Sequence, residues 1–290
     1  MKIPGKIRSF DGTRLAFRVW GEATDKKPVV CCSGIACDDM YWTYLAPDLS
    51  QERQVVTWDY PWHGNSGPPE DPEETSVPSL ARHAHTLLQH LDLSAVATVG
   101  HSMGVQVILE WWNLFREDVA AIVPVGGPFA RTVGSLYGTG LGRYMLSALE
   151  AAARIQPDLT SLAWRAMFQS SIADPIGRAG GLIGHAPADM MDRYFSHLRQ
   201  LDPIGILEMF RKGQEHSAED YLEEIDVPVL IIHGKADVMS PFSLAQEMAR
   251  RIPGAELIGI DGGAHTLPIE DPDMINATIR RFLREKVDSS

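Results

Sequence analysis

The run Gly100-His101-Ser102-Met103-Gly104 constrains this chain more than any other segment. It joins a short β-rich stretch, Ala95–Gly100, to an apolar stretch of helical spacing that runs from Met103 to about Phe115. Gly100 and Gly104 relieve the crowding that arises where a strand and a helix nearly touch. A serine at the apex of such a turn has its hydroxyl held clear of the surrounding surface. That hydroxyl is a poor nucleophile at neutral pH and needs a base beside it. The rest of the chain is therefore read for the partners of Ser102.

Strand and helix signals alternate around this motif. Lys6–Phe10 and Arg14–Trp20 flank Asp11-Gly12, a hairpin signal. Pro28–Ser33 and Gln54–Trp58 read as short buried strands. Ser79–Leu91 carries Leu80, Ala84, Leu87, Leu88 and Leu91 on one helical face. After the serine motif come the strand-like run Ala121–Gly126 and then a change of pattern. From Gly127 to about Asp220 the strand signals stop, and helices are expected over Arg143–Ile155, Leu159–Phe168, Ala188–Leu198 and Gly205–Lys212. Alternation resumes with Pro228–His233, a helix from Pro241 to Ile252, and the run Glu256–Ile260. The last helix has Asp271 as its N-cap, Pro272 at its first position, and Ile275, Ile279, Phe282 and Leu283 on its apolar side. This order predicts an α/β fold with a mostly parallel sheet covered by helices on both faces. The expected organisation is a core of residues 1–126 and 221–290, with residues 127–220 as a helical insertion.

The base is expected after the final strand. His265 lies in Asp261-Gly262-Gly263-Ala264-His265-Thr266, a glycine-rich loop at the end of Glu256–Ile260, and strand-end loops are where folds of this kind carry their chemistry. An acid must then hold the imidazole in the right tautomer. Asp237 follows the strand Pro228–His233 and precedes a helix, so a capping role competes for it. Ser240 is the better placed cap for a helix beginning at Pro241, which leaves Asp237 free to orient His265.

The order Ser102, Asp237, His265 on this pattern resembles the α/β-hydrolase fold superfamily over nearly the whole chain. The resemblance implies an eight-stranded, mostly parallel sheet and a helical cap inserted after the sixth strand, which matches the place of residues 127–220. It also implies an oxyanion hole made by two backbone N–H groups, those of Met103 and of Ile35 in Cys32-Ser33-Gly34-Ile35-Ala36. Such donors are fixed before charge develops, and removing a comparable one can lower the rate by roughly 10²–10³. The run Asp59-Tyr60-Pro61-Trp62-His63-Gly64-Asn65-Ser66 resembles the family's turn after the fourth strand, commonly Asp-x-x-Gly-x-Gly-x-Ser. Trp62 stands where glycine is usual, which puts extra bulk near the oxyanion side. Ser33 stands where many members have histidine, so the loop holding Ile35 needs a different brace.

Composition removes several alternatives. A net charge of −12 argues against nucleic acid or an anionic membrane surface as a main partner, since both need cationic patches. No apolar run approaches the roughly 20 residues of a membrane span, and the first residues lack the apolar stretch of a secretory signal, so a cytoplasmic setting is expected. Cys31, Cys32 and Cys37 have no second cluster with which to form a disulfide framework or zinc site, and are expected to be reduced and buried. Cys37 has no elbow of its own, so it is not the nucleophile. His83, His85 and His90 share a helix without accompanying cysteine or carboxylate, so no metal site is assigned there. His101 is expected to point away from Ser102 and to pack, and His63 and His233 to be structural. Between 127 and 220, nine Lys and Arg against ten Asp and Glu leave no cluster for a strongly charged substrate. Met145, Met167, Phe168, Met190, Met191, Phe195, Met209 and Phe210 in that segment suit either an apolar substrate pocket or ordinary packing.

The expected reaction is a two-step acyl transfer from a carboxylic ester of an apolar small-molecule substrate through an acyl-serine, with no cofactor and no metal. Thioesters, or carbon–carbon bonds in activated diketones, would use the same three residues, and a ligand-binding protein without turnover is the alternative outside catalysis. Epoxide hydrolases and haloalkane dehalogenases of the same superfamily use an aspartate nucleophile, and Ser102 argues against both.

Overall fold

Asp11-Gly12 closes the first hairpin, with Gly12 at φ +92° and the Asp11 carboxylate accepting from Thr13 N–H at 2.9 Å. The computed structural model of the chain describes residues 2–130, 148 and 151–289. Strand β1 is Lys2–Arg8 and β2 is Arg14–Trp20, paired antiparallel. The first strand thus ends before Phe10 instead of running from Lys6 to Phe10. Ser9 N–H donates to Thr13 carbonyl at 2.8 Å, so residues 9–13 are consumed by the turn.

The remaining strands are β3 (Val29–Cys32), β4 (Val55–Trp58), β5 (Val96–His101), β6 (Val119–Val125), β7 (Leu230–Gly234) and β8 (Glu256–Ile260). They form one eight-stranded sheet in the order β1-β2-β4-β3-β5-β6-β7-β8, parallel from β4 onward. A parallel sheet survives only with both faces covered. Every residue of β3, β4, β5 and β7 is buried accordingly.

Helices α1 (Leu45–Leu49), α2 (Val77–His90) and α3 (Met103–Leu114) follow β3, β4 and β5. On α2 the Ser76 side chain accepts from Ser79 N–H and starts the helix, and Leu80, Ala84, Leu87 and Leu88 are buried against the sheet. Val105, Ile108, Leu109 and Trp112 of α3 belong to the same core layer. The opposite layer holds Trp42, Leu45 and Leu49 against Ile275, Ile279, Phe282 and Leu283.

Between β6 and β7 the chain builds only helices among its described residues. These are α4 (Pro157–Met167), α5 (Ser170–Ala179), α6 (Ala188–Leu198) and α7 (Pro203–Glu215). Residues 151–155 are helical, and the greater part of the helix expected over Arg143–Ile155 lies outside the described residues, as does Met145. Helix α7 starts before Gly205 because the Asp202 side chain accepts from Ile204 N–H and Pro203 takes the first helical position. Helix α5 is absent from the sequence expectation because Pro175 inside it reads as a breaker. Met190, Met191, Phe195 and Leu198 of α6 are buried with Met40, Tyr41 and Ile269, so these apolar residues hold the inserted helices onto the core.

The last elements are α8 (Phe242–Arg251), α9 (Leu267–Glu270) and α10 (Pro272–Lys286). Asp271 caps α10 through Met274 N–H, as its position in the sequence predicts. Among the described residues no helix is long and apolar enough to cross a membrane.

Candidate active site

The elbow at Ser102 is tight. Ser102 has φ +55° and ψ −122°, a region that L-residues rarely occupy and that persists only where the surroundings enforce it. The enforcement is steric contact on both sides. A Cβ at Gly104 would lie 2.0 Å from the Cys32 carbonyl oxygen, and one at Gly100 would lie 2.4 Å from the Gly104 carbonyl oxygen. Ser102 N–H donates to Val125 carbonyl at 3.3 Å, tying the turn to β6.

His265 and Asp237 arrive from β8 and β7. Ala236 N–H donates to Gly263 carbonyl at 3.0 Å, so the two loops hold each other. The Ser102 Oγ lies 3.0 Å from His265 Nε2, and His265 Nδ1 lies 2.9 Å from Asp237 Oδ2. A carboxylate only accepts, so Nδ1 carries the proton and Nε2 is free to take one from Ser102. Burial works against an ionised Asp237. The nearby His265 imidazole, its hydrogen bond and the Ser240 N–H outweigh that burial and hold the carboxyl below its ordinary value.

Ser240 corrects one expectation. Its hydroxyl does not cap α8, which begins at Phe242 with Pro241 as its unbonded N-cap. Instead Asp237 Oδ1 accepts from Met239 N–H at 2.8 Å and Ser240 N–H at 2.9 Å. The two readings of Asp237 are therefore not alternatives. One carboxylate oxygen closes the turn before the helix, and the other holds the imidazole.

His101 lies beneath this arrangement, stacked on Tyr41 with ring centroids 4.2 Å apart. Its Nε2 lies 2.9 Å from the carbonyl oxygen of His265, which can only accept, so Nε2 carries the proton. Burial, with the neighbouring His265, pushes its pKa down to about 3, so the ring is neutral. His233 similarly donates from Nε2 to Ser240 carbonyl at 2.7 Å.

Ile35 and Met103 line the same cavity as Ser102 and His265. Among the described residues their backbone N–H groups make no hydrogen bond. The loop holding Ile35 is braced from two sides. Ala36, at φ +61°, donates its N–H to His63 Nε2 at 2.8 Å, and His63 Nδ1 donates to Pro61 carbonyl at 2.8 Å. Burial pushes the His63 pKa down to about 4, which keeps Nε2 an acceptor. Trp42 Nε1 donates to Ser33 Oγ at 2.8 Å, which is the brace this chain uses in place of a histidine at 33. Trp62 is not among the residues that line this cavity. Its ring packs on Gly205 of α7, where a Cβ would come within 2.6 Å of Trp62 Cδ2.

The residues set aside in the sequence lie elsewhere. Cys31, Cys32 and Cys37 are free and buried, and burial raises all three thiols, Cys32 to about 12. His83 Nδ1 is 2.6 Å from Ser9 Oγ, His85 pairs with Asp118, and His90 packs edge-on against Phe17. Sequence reasoning missed Gln106, Pro128 and Met239, which also line the cavity. Gln106 had a readable signal in its spacing, since it stands one helical turn beyond Ser102.

This architecture, a mostly parallel eight-stranded sheet flanked by helices, is that of an alpha/beta hydrolase. Residues 27–272 match the family model described as alpha/beta hydrolase fold, and the chain belongs to that family. A relative named "Putative carbamate hydrolase RutD" from Agrobacterium fabrum is 24% identical over 273 residues, covering 92% of this chain and 97% of the relative. Among solved structures, the esterase EaEST from Exiguobacterium antarcticum superposes with a TM-score of 0.78 at 20% identity, covering 98% of this chain and 100% of that one. The enol-lactonase from Burkholderia xenovorans LB400 superposes with a TM-score of 0.76 at 20% identity, covering 97% of this chain and 100% of that one. At those identities the likeness to the solved structures concerns the fold.

Proposed function

We propose that this hydrolase cleaves small-molecule carboxylic esters through an acyl-enzyme, with Ser102 as nucleophile, His265 as general base and acid, and Asp237 as the orienting acid. The observation that carries this reading is the relay Ser102 Oγ to His265 Nε2 to Asp237 Oδ2, at 3.0 and 2.9 Å, built on a serine held at φ +55°. The Ser102 oxygen attacks the ester carbonyl carbon while its proton passes to His265 Nε2. The negative charge on the carbonyl oxygen is taken up by the N–H groups of Met103 and Ile35. As the carbon–oxygen bond to the alcohol breaks, His265 returns the proton to the departing oxygen. Water, deprotonated by the same nitrogen, then attacks the acyl-serine, and the acid leaves with Ser102 restored. No step uses a metal or a cofactor.

Residues 127–220 are read as the unit that covers this site and selects the substrate. The absence of a cationic cluster in that unit favours uncharged esters. The name of one relative, "Putative carbamate hydrolase RutD", and that of a solved structure alike in fold, an enol-lactonase, support a carbonyl bearing an oxygen or nitrogen leaving group as the broader substrate class. The test is labelling by a fluorophosphonate together with turnover of p-nitrophenyl acetate. Wild type is expected to do both and Ser102→Ala neither. Equal labelling of Ser102→Ala would move the nucleophile elsewhere. Labelling at Ser102 without ester turnover, but with cleavage of a vinylogous diketone, would favour carbon–carbon hydrolysis.

A further inference from the structure

We infer that Gln106 determines specificity, presenting its carboxamide oxygen to the substrate pocket as an acceptor for an O–H or N–H on the substrate. The inference rests on the hydrolase reading above.

The orientation of this carboxamide follows from its neighbours, starting at Glu110. The Glu110 carboxylate can only accept, and its Oε2 lies 2.9 Å from the Tyr221 hydroxyl and 3.1 Å from His216 Nε2. His216 Nε2 therefore carries a proton toward that carboxylate. Gln106 Nε2 lies 3.5 Å from His216 Nδ1 and 3.0 Å from the Gly213 carbonyl oxygen. The Gly213 carbonyl can only accept, which assigns that end of the carboxamide as the NH₂ group, since an oxygen there would face it without a proton. The Gly213 carbonyl, in the last turn of α7, also accepts from His216 N–H at 3.4 Å, and its contact with Gln106 ties α3 to the inserted helices.

With the nitrogen committed, Oε1 is the end left over. Gln106 lines the cavity that holds Ser102 and His265, and among the described residues its Oε1 accepts no hydrogen bond. Around it the lining mixes the apolar Ile35, Met103, Pro128, Phe210 and Met239 with the polar Gln214 and Ser240. Gln106 and Ser102 are four residues apart, one turn of α3, so the acceptor faces a substrate group a few bonds from the scissile carbonyl. An apolar group placed there strands a buried amide oxygen, whereas a hydroxyl or amide N–H satisfies it. A hydroxylated ester is thus preferred over its deoxy counterpart.

Two ester pairs separate the acyl side from the alcohol side. The first is ethyl 3-hydroxybutanoate against ethyl butanoate, and the second is 2-hydroxyethyl butanoate against propyl butanoate, all followed by pH-stat. In one of the pairs wild type is expected to favour the hydroxylated ester in kcat/KM by about tenfold, the scale of a neutral hydrogen bond. Gln106→Met, which keeps the length and removes the acceptor, is expected to bring that ratio to about one. If that variant does not fold, Gly213→Ala serves instead. A Cβ there lies at ordinary contact, 3.5 Å from Met103 Sδ and 3.9 Å from Gln106 Oε1, and puts a methyl group against the acceptor, so the ratio is again expected to fall toward one. A wild-type ratio of one or less in both pairs overturns the inference while leaving the hydrolase reading intact. A preference that survives both substitutions overturns it as well. No turnover of any of the four esters overturns the inference, and p-nitrophenyl acetate assayed in parallel shows whether the ester-hydrolase reading falls with it.

Discussion

The residue before the candidate nucleophile holds the backbone of the candidate base: His101 donates from Nε2 to the carbonyl oxygen of His265 at 2.9 Å. The two residues are 164 positions apart in sequence, and this bond joins the end of β5 to the loop after β8. His101 is in this sense a positioning residue. It sets where the His265 loop sits without touching the reacting atoms.

His101→Phe keeps a flat ring on Tyr41 and deletes the donor. We expect kcat to fall by about tenfold with KM nearly unchanged, because a small displacement of a base affects the chemical step more than binding. An equal loss in kcat for His101→Phe and for a donor-retaining His101→Asn would assign the effect to packing alone.

Asp237→Asn addresses the proposed orienting acid. The amide would present a donor or a weaker acceptor to His265 Nδ1, favouring the wrong tautomer, and losses of about 10⁴ in kcat are typical of that change. The turn formed by Met239 and Ser240 N–H groups needs only the other oxygen, so the melting temperature should move little. Steady-state kinetics alongside thermal unfolding checks both halves.

Gly104→Ala tests the close approach that shapes the elbow. A methyl group 2.0 Å from the Cys32 carbonyl oxygen has backbone on both sides and nowhere to go. The variant is expected to lose several kcal/mol, enough to threaten a typical domain's whole margin of stability. Soluble expression and denaturant midpoint report this directly.

Acid stability follows from the buried imidazoles. His63 is held at about 4 and His101 at about 3, both below the ordinary 6.5 because burial disfavours the charged ring. The unfolded chain takes up protons near 6.5 that the folded chain refuses. Stability is therefore undiminished above about pH 6.5 and falls as the pH drops from there toward the folded values, by up to about 1.4 kcal/mol per pH unit for each ring. His63→Gln and His101→Gln should each flatten the curve of denaturant midpoint against pH between 6 and 4.

Much of this fold is legible in the sequence. The β-rich runs with period and length of buried strands gave seven of the eight strands within a residue or two, because burial on both faces of a parallel sheet selects the same short apolar runs. The first strand was displaced because a hairpin turn can absorb the residues next to it. Helix α5 was hidden by Pro175, a local rule that tertiary contacts overrode.

The limits at the elbow are equally physical. Spacing and residue chemistry alone pointed to Ser102, Asp237 and His265, since a nucleophile turn, a strand-end acid and a strand-end histidine each leave a local mark. What only the tertiary structure decided are relations between distant segments. Asp237 divides its two oxygens between a turn and an imidazole, His63 rather than residue 33 carries Ala36, and Trp62 turns toward Gly205. Gln106 belongs to this second group. Nothing in a helix sequence says which end of a carboxamide faces a pocket, because that is set by the Gly213 carbonyl, which reaches it only when the inserted helices return to the core.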